Sequence, residues 1–367
     1  MGKPTRIAAC HVSPVFLSAK ATTAKAISLI QEAAGNEANL VVFPESYIPA
    51  FPIWSALRAP IENHDLFKRM ALESIYVDGD EINAIRATAK QLGVLVSLGF
   101  SEKVRYSSAT LFNSNVLIGA DGEVLVHHRK LMPTFYEKLT WAPGDGHGLQ
   151  VADTAFGKIG VLICGENTNP LARYTLTAQG EQIHISSWPA IWPTRLPLVT
   201  VSDARNEDVN GSGNVDEGKS SLPSVAPGAN YDNVAANRTR AAAHCFEAKC
   251  FGVLCAGVLG DDTIKEVAAG ASSPDVVKQG LQSSTRGATM FLDTTGTLLP
   301  GFTVDSKTLA LEERDLLQET EGILYADVNL EDCIEGKQYH DIAGGYQRFD
   351  VFELKVDRKR RQPVSFE

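Results

Sequence analysis

Three side chains far apart in this 367-residue sequence could together activate a thiol. Cys164 ends the apolar run Val161-Leu162-Ile163, Glu45 follows Val41-Val42-Phe43-Pro44, and Lys130 follows the segment VLVHHR. A cysteine is a good nucleophile only as the thiolate. Its free pKa near 8.5 must be lowered by a nearby cation, or an adjacent base must take the proton. A lysine and a glutamate supply both functions. At about 4 Å and an effective dielectric near 20, a unit charge pair is worth roughly 4 kcal/mol, enough to move such a pKa by a few units. Taken singly, each residue has an ordinary reading: a solvated loop glutamate, a surface lysine, a small buried thiol. Only their convergence would make a site.

That convergence requires an α/β fold in which strand ends meet, because ligand-binding side chains from distant segments gather there. The hydrophobic pattern supplies such a rhythm. Residues 6–12 read as a strand, and Ala24, Ile27, Ile30 and Ala34 recur at helical spacing before a second strand at 40–43. Asp80 reads as an N-cap ahead of Ile82, Ile85, Ala89 and Leu92, with Gly93 as the stop and 94–100 as the next strand. Apolar runs at 111–118 and 123–128 flank Ala120-Asp121-Gly122 and predict a hairpin, so the sheet should be mixed. The 158–163 strand, a 170–179 helix opened by Pro170, a 234–249 helix, and strands at 251–258, 287–293 and 323–328 repeat the rhythm. The expectation is one domain over 1–367, with a long polar loop near 203–233 and a short solvated basic tail at 355–361.

Composition narrows the functional classes. A net charge of -10 repels phosphate backbones and anionic lipid, so neither nucleic acid nor a membrane surface is an expected partner. The first residues contain no signal-peptide core, and Arg6 stands where a myristoylation motif needs Ser or Thr. The longest strongly apolar run, 251–259, is about half of what spans a bilayer. A cytoplasmic protein with reduced thiols is expected. Its six cysteines lack the density of a disulfide scaffold, and the fivefold spacing of Cys245, Cys250 and Cys255 fits packing better than zinc. The histidines form no ligand spacing, and His127 and His128 should point to opposite faces of a strand. The glycine-rich run 144–148 lacks the Lys-Ser/Thr of a phosphate loop and precedes a strand, so it reads as a turn.

Longer stretches around the three residues carry a family resemblance. VVFPES around Glu45, HRKLMPTFYEKLTWAPGDG around Lys130 and CGENTNPLARYTLTAQGEQIHISSWP around Cys164 resemble, in order, the three signature regions of the nitrilases in the carbon-nitrogen hydrolase superfamily. The likeness continues to residues 341–350. It implies a catalytic triad of Glu45, Lys130 and Cys164 with Glu137 as a second glutamate nearby. It also implies an αββα four-layer sandwich of two mixed sheets flanked by helices, and a homodimer formed through outer helices that in the family often grows into spirals. Neither metal nor organic cofactor is implied. The reaction would hydrolyse a small-molecule nitrile to carboxylic acid and ammonia through a cysteine thioimidate and thioester.

Details refine that expectation. Amidases and carbamoylases of the superfamily commonly carry Asp two residues after the cysteine, whereas nitrilases and cyanide hydratases carry Glu, and Glu166 stands here. A carboxylate at that position would also bind the backbone amides of a helix start. The helix after Asn169 could aim its amides at the same spot. The alternatives are a cyanide hydratase or amide-forming member, an amidase, and a non-catalytic binding protein with this fold. Many nitrilases have Trp directly after the cysteine. Gly165 stands here and predicts extra room for a bulky nitrile. Gly345 and His11 replace a His and a Gln usual in the family. With Gly165, the aromatic residues Tyr47, Phe51, Trp141, Trp188 and Trp192 are the expected pocket lining, although aromatics in such loops equally serve as packing anchors.

Overall fold

The computed structural model describes residues 4–194 and 232–364, so the polar loop expected at 203–233 lies almost wholly outside the described residues. In the first half, strand β1 (Thr5–His11) leads into helix α1 (Ala19–Gly35) and strand β2 (Leu40–Val42), then short α2 (Trp54–Leu57), α3 (His64–Glu73) and α4 (Asp80–Leu92). Strands β3 (Leu95–Val104), β4 (Ser107–Ile118), β5 (Val124–Arg129), β6 (Ala152–Thr154) and β7 (Gly157–Ile163) follow, then α5 (Pro170–Thr177) and β8 (Ile183–Trp188). After the undescribed stretch come α6 (Asn233–Ala248), β9 (Phe251–Ala256), α7 (Asp261–Ala268), α8 (Pro274–Ser283) and β10 (Thr289–Leu292). Strands β11 (Leu298–Leu299), β12 (Gly301–Val304), β13 (Leu311–Arg314), β14 (Leu316–Leu317) and β15 (Gly322–Val328) precede α9 (Asp332–Glu335).

The strands form two mixed sheets. One has eight strands in the order β13-β12-β15-β1-β2-β3-β4-β5; in the other, β11-β10-β9-β8-β7-β6 is the path and β14 pairs with β10. Parallel pairing joins β1 to β2 to β3 in one sheet and β7 to β8 to β9 in the other. The alternation of β1 shows how the layers arise. Ala8 and Cys10 face Ala26 and Ile30 of α1 and Ile82 and Ile85 of α4 on the outside. Ile7 and Ala9 face the second sheet, meeting Ile159, Val161, Ile185 and Val253. Beyond that sheet, Leu162 packs on Ala172 and Leu176 of α5, while Leu254 and Met290 pack on Ala241 and Cys245 of α6. The molecule is the αββα sandwich, and each fully buried Ile or Val in its middle layer contributes about 1.5–3 kcal/mol of apolar transfer.

Several local expectations need correction. Asp80 is the first helical residue of α4 rather than its cap; Gly79 takes the N-cap place, and Gly93 ends the helix at φ 67 as expected. Lys249 leaves α6 in the left-handed region at φ 55 instead of continuing the helix. The short β8 escapes the apolar pattern because His184, Ser186 and Ser187 interrupt it, yet every residue of it is buried. The basic tail is not simply solvated. Arg360 donates to Asp145 Oδ1 at 3.1 Å and to the His127 carbonyl at 2.8 Å, so a carboxylate and a free strand-edge carbonyl anchor it. All six cysteines are free and buried. No helix among the described residues is long and apolar enough to cross a membrane.

Candidate active site

Each sheet sends side chains to a common end of the sandwich, and the backbone is strained where it does so. Glu45 lies three residues beyond β2 and is followed by Ser46 at φ 46. The strand beside it can approach only because residue 99 is glycine; a Cβ there would stand 2.2 Å from the Pro44 carbonyl oxygen. Lys130 leaves β5 with its amide on the Asn113 carbonyl at 2.8 Å, and Gly144 closes against it for the same steric reason. Glu137 sits in a 3-10 turn, Phe135–Leu139, whose entry residue Thr134 donates its amide to Glu137 Oε2 at 2.9 Å. Cys164 follows β7 directly, at φ 51, a conformation that costs a non-glycine residue energy and turns the chain off the strand line into the 3-10 turn Cys164–Thr168.

Glu166 fixes that turn. One carboxylate oxygen accepts from the Ile163 amide at 2.8 Å and the other from the Leu131 amide at 2.5 Å, while His128 Nε2 lies 2.8 Å away. The helix-start role read from sequence is therefore present, since Glu166 accepts from the Ile163 amide that opens the 3-10 turn Cys164–Thr168, and Glu166 in addition staples the Lys130 segment to the Cys164 segment. His127 points the other way, to Glu102, as strand alternation requires. The amides of α5 do not reach the site: Asn169 Oδ1 accepts from Leu171 and Ala172, the first free donors of that helix.

At the centre, Lys130 Nζ donates to Glu45 Oε1 at 2.8 Å and to the two oxygens of Glu137 at 2.8 and 2.7 Å. Asn113 Nδ2 donates to Glu45 Oε1 at 2.7 Å, whereas Glu45 Oε2 is buried with no hydrogen-bond partner. Cys164 Sγ and carboxylate oxygens of Glu45 and Glu137 lie within 4.8 Å of one another. Burial pushes the Cys164 thiol well above its usual pKa; the charge of Glu45 adds to that rise and Lys130 opposes it. Burial works against the Lys130 charge, but Cys164, Glu137 and Glu45 outweigh it and hold the amine well above the ordinary lysine value. Burial also raises Glu137, to about 7, against the pull of Lys130. The resting arrangement is a neutral thiol beside an ammonium shared by two carboxylates, one with a free oxygen. It can move a proton off sulfur and hold the resulting anion beside a cation. The same carboxylates and thiol have the donor types of a cation site, but Lys130 Nζ already bonds both carboxylates. A second group with ligand chemistry, Glu181, His184 and His244, lies buried elsewhere.

A small cavity of about 40 Å³ opens on Cys164, lined among the described residues by Thr134, Gly165, Trp188 and Trp192 and by Asn233, Asn237 and Arg240 of α6. Three expected lining residues, Gly165, Trp188 and Trp192, are there; the polar face of α6 gave no sequence signal for this role. Tyr47 and Phe51 line a different cavity behind Glu45. Tyr47 stacks on Phe43 at 5.2 Å. Trp141 is a packing anchor, with Nε1 on Ser101 Oγ at 3.0 Å and its ring against Phe51. The room expected beside Gly165 is also partly filled: a Cβ there would lie 2.6 Å from Thr134 Oγ1.

Comparison with known proteins places the chain in a family and a fold. Residues 6–208 match the carbon-nitrogen hydrolase family. An arylacetonitrilase of Hypocrea virens is 33% identical over 361 residues, 98% of this chain and 93% of that protein. A nitrilase of Penicillium rubens is 31% identical, covering 98% and 95% of the two chains. Among solved structures, a carbon-nitrogen hydrolase from Helicobacter pylori superposes with a TM-score of 0.63 at 18% identity, covering 95% of this chain and 96% of that one, a likeness of fold.

Proposed function

We propose, from the premise that this chain belongs to the carbon-nitrogen hydrolase family, that it is a nitrilase converting an organic nitrile to the carboxylic acid and ammonia. The observation that carries the reading is the buried cluster of Cys164, Glu45, Lys130 and Glu137, whose thiol residue opens on a cavity.

The residues take these parts. The unpartnered oxygen of Glu45 accepts the thiol proton, and Cys164 Sγ attacks the nitrile carbon. Negative charge developing on nitrogen is met by Lys130 and by backbone N-H groups next to the sulfur, among them that of Gly165, which donates toward Cys164. The proton held by Glu45 passes to that nitrogen and gives a thioimidate. Glu45 then deprotonates a water that Glu137 positions; water adds, ammonia leaves, and a thioester remains. A second water cleaves the carbon-sulfur bond, releasing the acid and returning the proton to sulfur. Trp188 and Trp192 favour an arylaceto side chain over a short aliphatic one.

The decisive experiment is a nitrile panel with acid, ammonia and amide all quantified, run beside Cys164→Ala. Equimolar acid and ammonia from the wild type, lost in the variant, supports the reading. Amide as sole product would make it a hydratase-like member, and no turnover of any nitrile or amide would leave a binding protein. The whole chain is one catalytic domain in this reading, in a reducing, cytoplasmic setting that suits its unpaired thiols. Assembly as a homodimer or larger is part of this reading, supported by apolar side chains left open beside α5: Leu171, Tyr346, Phe349 and Phe352 are 61–78% exposed and border one groove. Sedimentation of the purified protein tests that assembly.

A further inference from the structure

Beneath the nucleophile lies an ion cluster that the reaction as written does not use. Glu181 precedes β8, is buried, and touches two imidazoles, His184 Nδ1 at 2.9 Å and His244 Nε2 at 2.5 Å. Those rings stack with centroids 3.8 Å apart. From His184 the chain of contacts continues: Nε2 meets Asn167 Oδ1 at 2.8 Å, and Asn167 Nδ2 donates to the Cys164 carbonyl at 3.0 Å and to the Leu162 carbonyl at 3.2 Å. Because two carbonyls fix the amide nitrogen, Oδ1 must face the imidazole, so His184 Nε2 carries a hydrogen. The Glu181 carboxylate only accepts, so the path to the backbone of the nucleophile is hydrogen-bonded throughout when Nδ1 is protonated as well; burial and His244 work against that imidazolium and lower His184 to about 4, while Glu181 supports it. Burial works against the Glu181 charge, yet His184 and His244 outweigh it and hold the carboxyl at about 2.

The other oxygen of Glu181 reaches a different part of the site. His244 stands on α6, on the face that also carries Asn233, Asn237 and Arg240 into the cavity at spacings of four, three and four residues. Arg173 makes a parallel tie, donating to the Asn167 carbonyl at 3.0 Å and pairing with Glu247 of α6. One carboxylate is thus bonded toward the sulfur on one side and toward the cavity wall on the other.

We propose that Glu181 is a positioning residue: through His184 and Asn167 it holds the strained Cys164 turn, and through His244 it sets the substrate-facing helix α6 relative to that turn. This rests on the nitrilase reading. A cation held by the same three side chains is the competing use of the cluster, but both oxygens of Glu181 already meet an imidazole nitrogen, and His184 Nε2 meets Asn167.

Glu181→Gln keeps the volume and removes the charge. In the purified full chain, kcat should fall by roughly 10²-fold, the scale for a nucleophile displaced by about 1 Å. KM should rise as well, since the tie through His244 to α6 also weakens, and the melting temperature should fall, because a buried carboxylate held ionised by two imidazoles is lost. His184→Gln should repeat the kcat loss at near-constant KM. His244→Gln should instead raise KM and change the ratio of rates on phenylacetonitrile and a short aliphatic nitrile. If Glu181→Gln does not fold, His184→Gln and Asn167→Asp carry the same test. The rate of iodoacetamide modification at Cys164, followed by mass spectrometry, should slow in parallel. That readout stands even if the wild type turns over no nitrile, so failure of the nitrilase reading and failure of this one are separable. Folded Glu181→Gln and His184→Gln proteins with kcat and alkylation rates within threefold of wild type overturn the proposal. So does a stoichiometric metal whose chelation removes activity.

Discussion

Arg129 and Lys130 are adjacent where β5 ends, both are buried, and both pair with glutamate, but their surroundings are opposite in character. Glu102, the partner of Arg129, has every approach filled: the guanidinium meets both its oxygens, and His127 and Ser114 meet Oε2 at 2.8 and 2.6 Å. Burial resists its charge, but Arg129 and His127 outweigh that and hold the carboxyl far below the usual range. One residue later, Lys130 must serve two carboxylates at once; Glu137 is driven up to about 7 and Glu45 keeps an oxygen without a partner. A closed ion cluster has no capacity left for a new proton, whereas an open one has. The comparison teaches that unsatisfied hydrogen-bonding capacity beside a nucleophile, rather than buried charge as such, marks the place where a proton can move.

The contrast can be broken by substitution. The largest effect belongs to the open cluster: Cys164→Ala should lower nitrile turnover by roughly 10⁴-fold or more while melting close to wild type. Lys130→Met should be equally inactive but also less stable by about 3–5 kcal/mol, since two buried carboxylates lose their cation; urea unfolding measures this. Next comes the closed cluster. Glu102→Gln should cost about 3–5 kcal/mol in the same assay, with kcat per folded molecule within about threefold of wild type. A large kcat loss at unchanged stability would erase the distinction drawn between the two clusters.

Smaller effects sharpen it. Gly165→Ala must push Thr134 aside and should cost about 1–3 kcal/mol, read as a lower melting temperature. Acidity should separate the two carboxylates by sign. For Glu137 the folded pKa is raised, so its neutral form favours the fold; that contribution is present below the unfolded value near 4.3 and is lost as pH rises toward about 7. For Glu102 the folded pKa is depressed, so its contribution is present above about 4.3 and is lost only as pH falls further. Melting curves between pH 5 and 8 should therefore show Glu137→Gln gaining on wild type as pH rises, while the deficit of Glu102→Gln stays constant.

Much of the site is legible in the sequence. Strand-end positions and motif resemblance single out Glu45, Lys130, Cys164 and Glu137, and in the structure they come together. Trp188, Trp192 and Gly165 were likewise placed on the cavity. Tyr47, Phe51 and Trp141 are expected there by proximity along the chain; in the structure Tyr47 and Phe51 line a second cavity that Glu45 also borders, and Trp141 packs on Phe51 and Ser101, because side chains a few residues apart leave a turn in different directions. Asn233, Asn237 and Arg240 carried no signal, since polar residues on one face of a helix read as solvent-facing until another element covers them.

By itself the sequence determined most of the longer strands, since apolar alternation records burial locally, and which chemical groups end them; β8, interrupted by His184, Ser186 and Ser187, and the short β6 and β11 to β14 escape that pattern. It also determined the steric permissions, glycine at 99 and 144, without which those ends could not close on one another. Only the tertiary structure decided the hydrogen-bond partners. Glu166 joins two segments, Glu181 joins β8 to α6 and to the nucleophile turn, and Glu45 retains a bare oxygen while Glu102 does not. The reason is that a glutamate's charge state and role are set by what surrounds it within a few ångströms after burial, and those neighbours come from positions tens to hundreds of residues away.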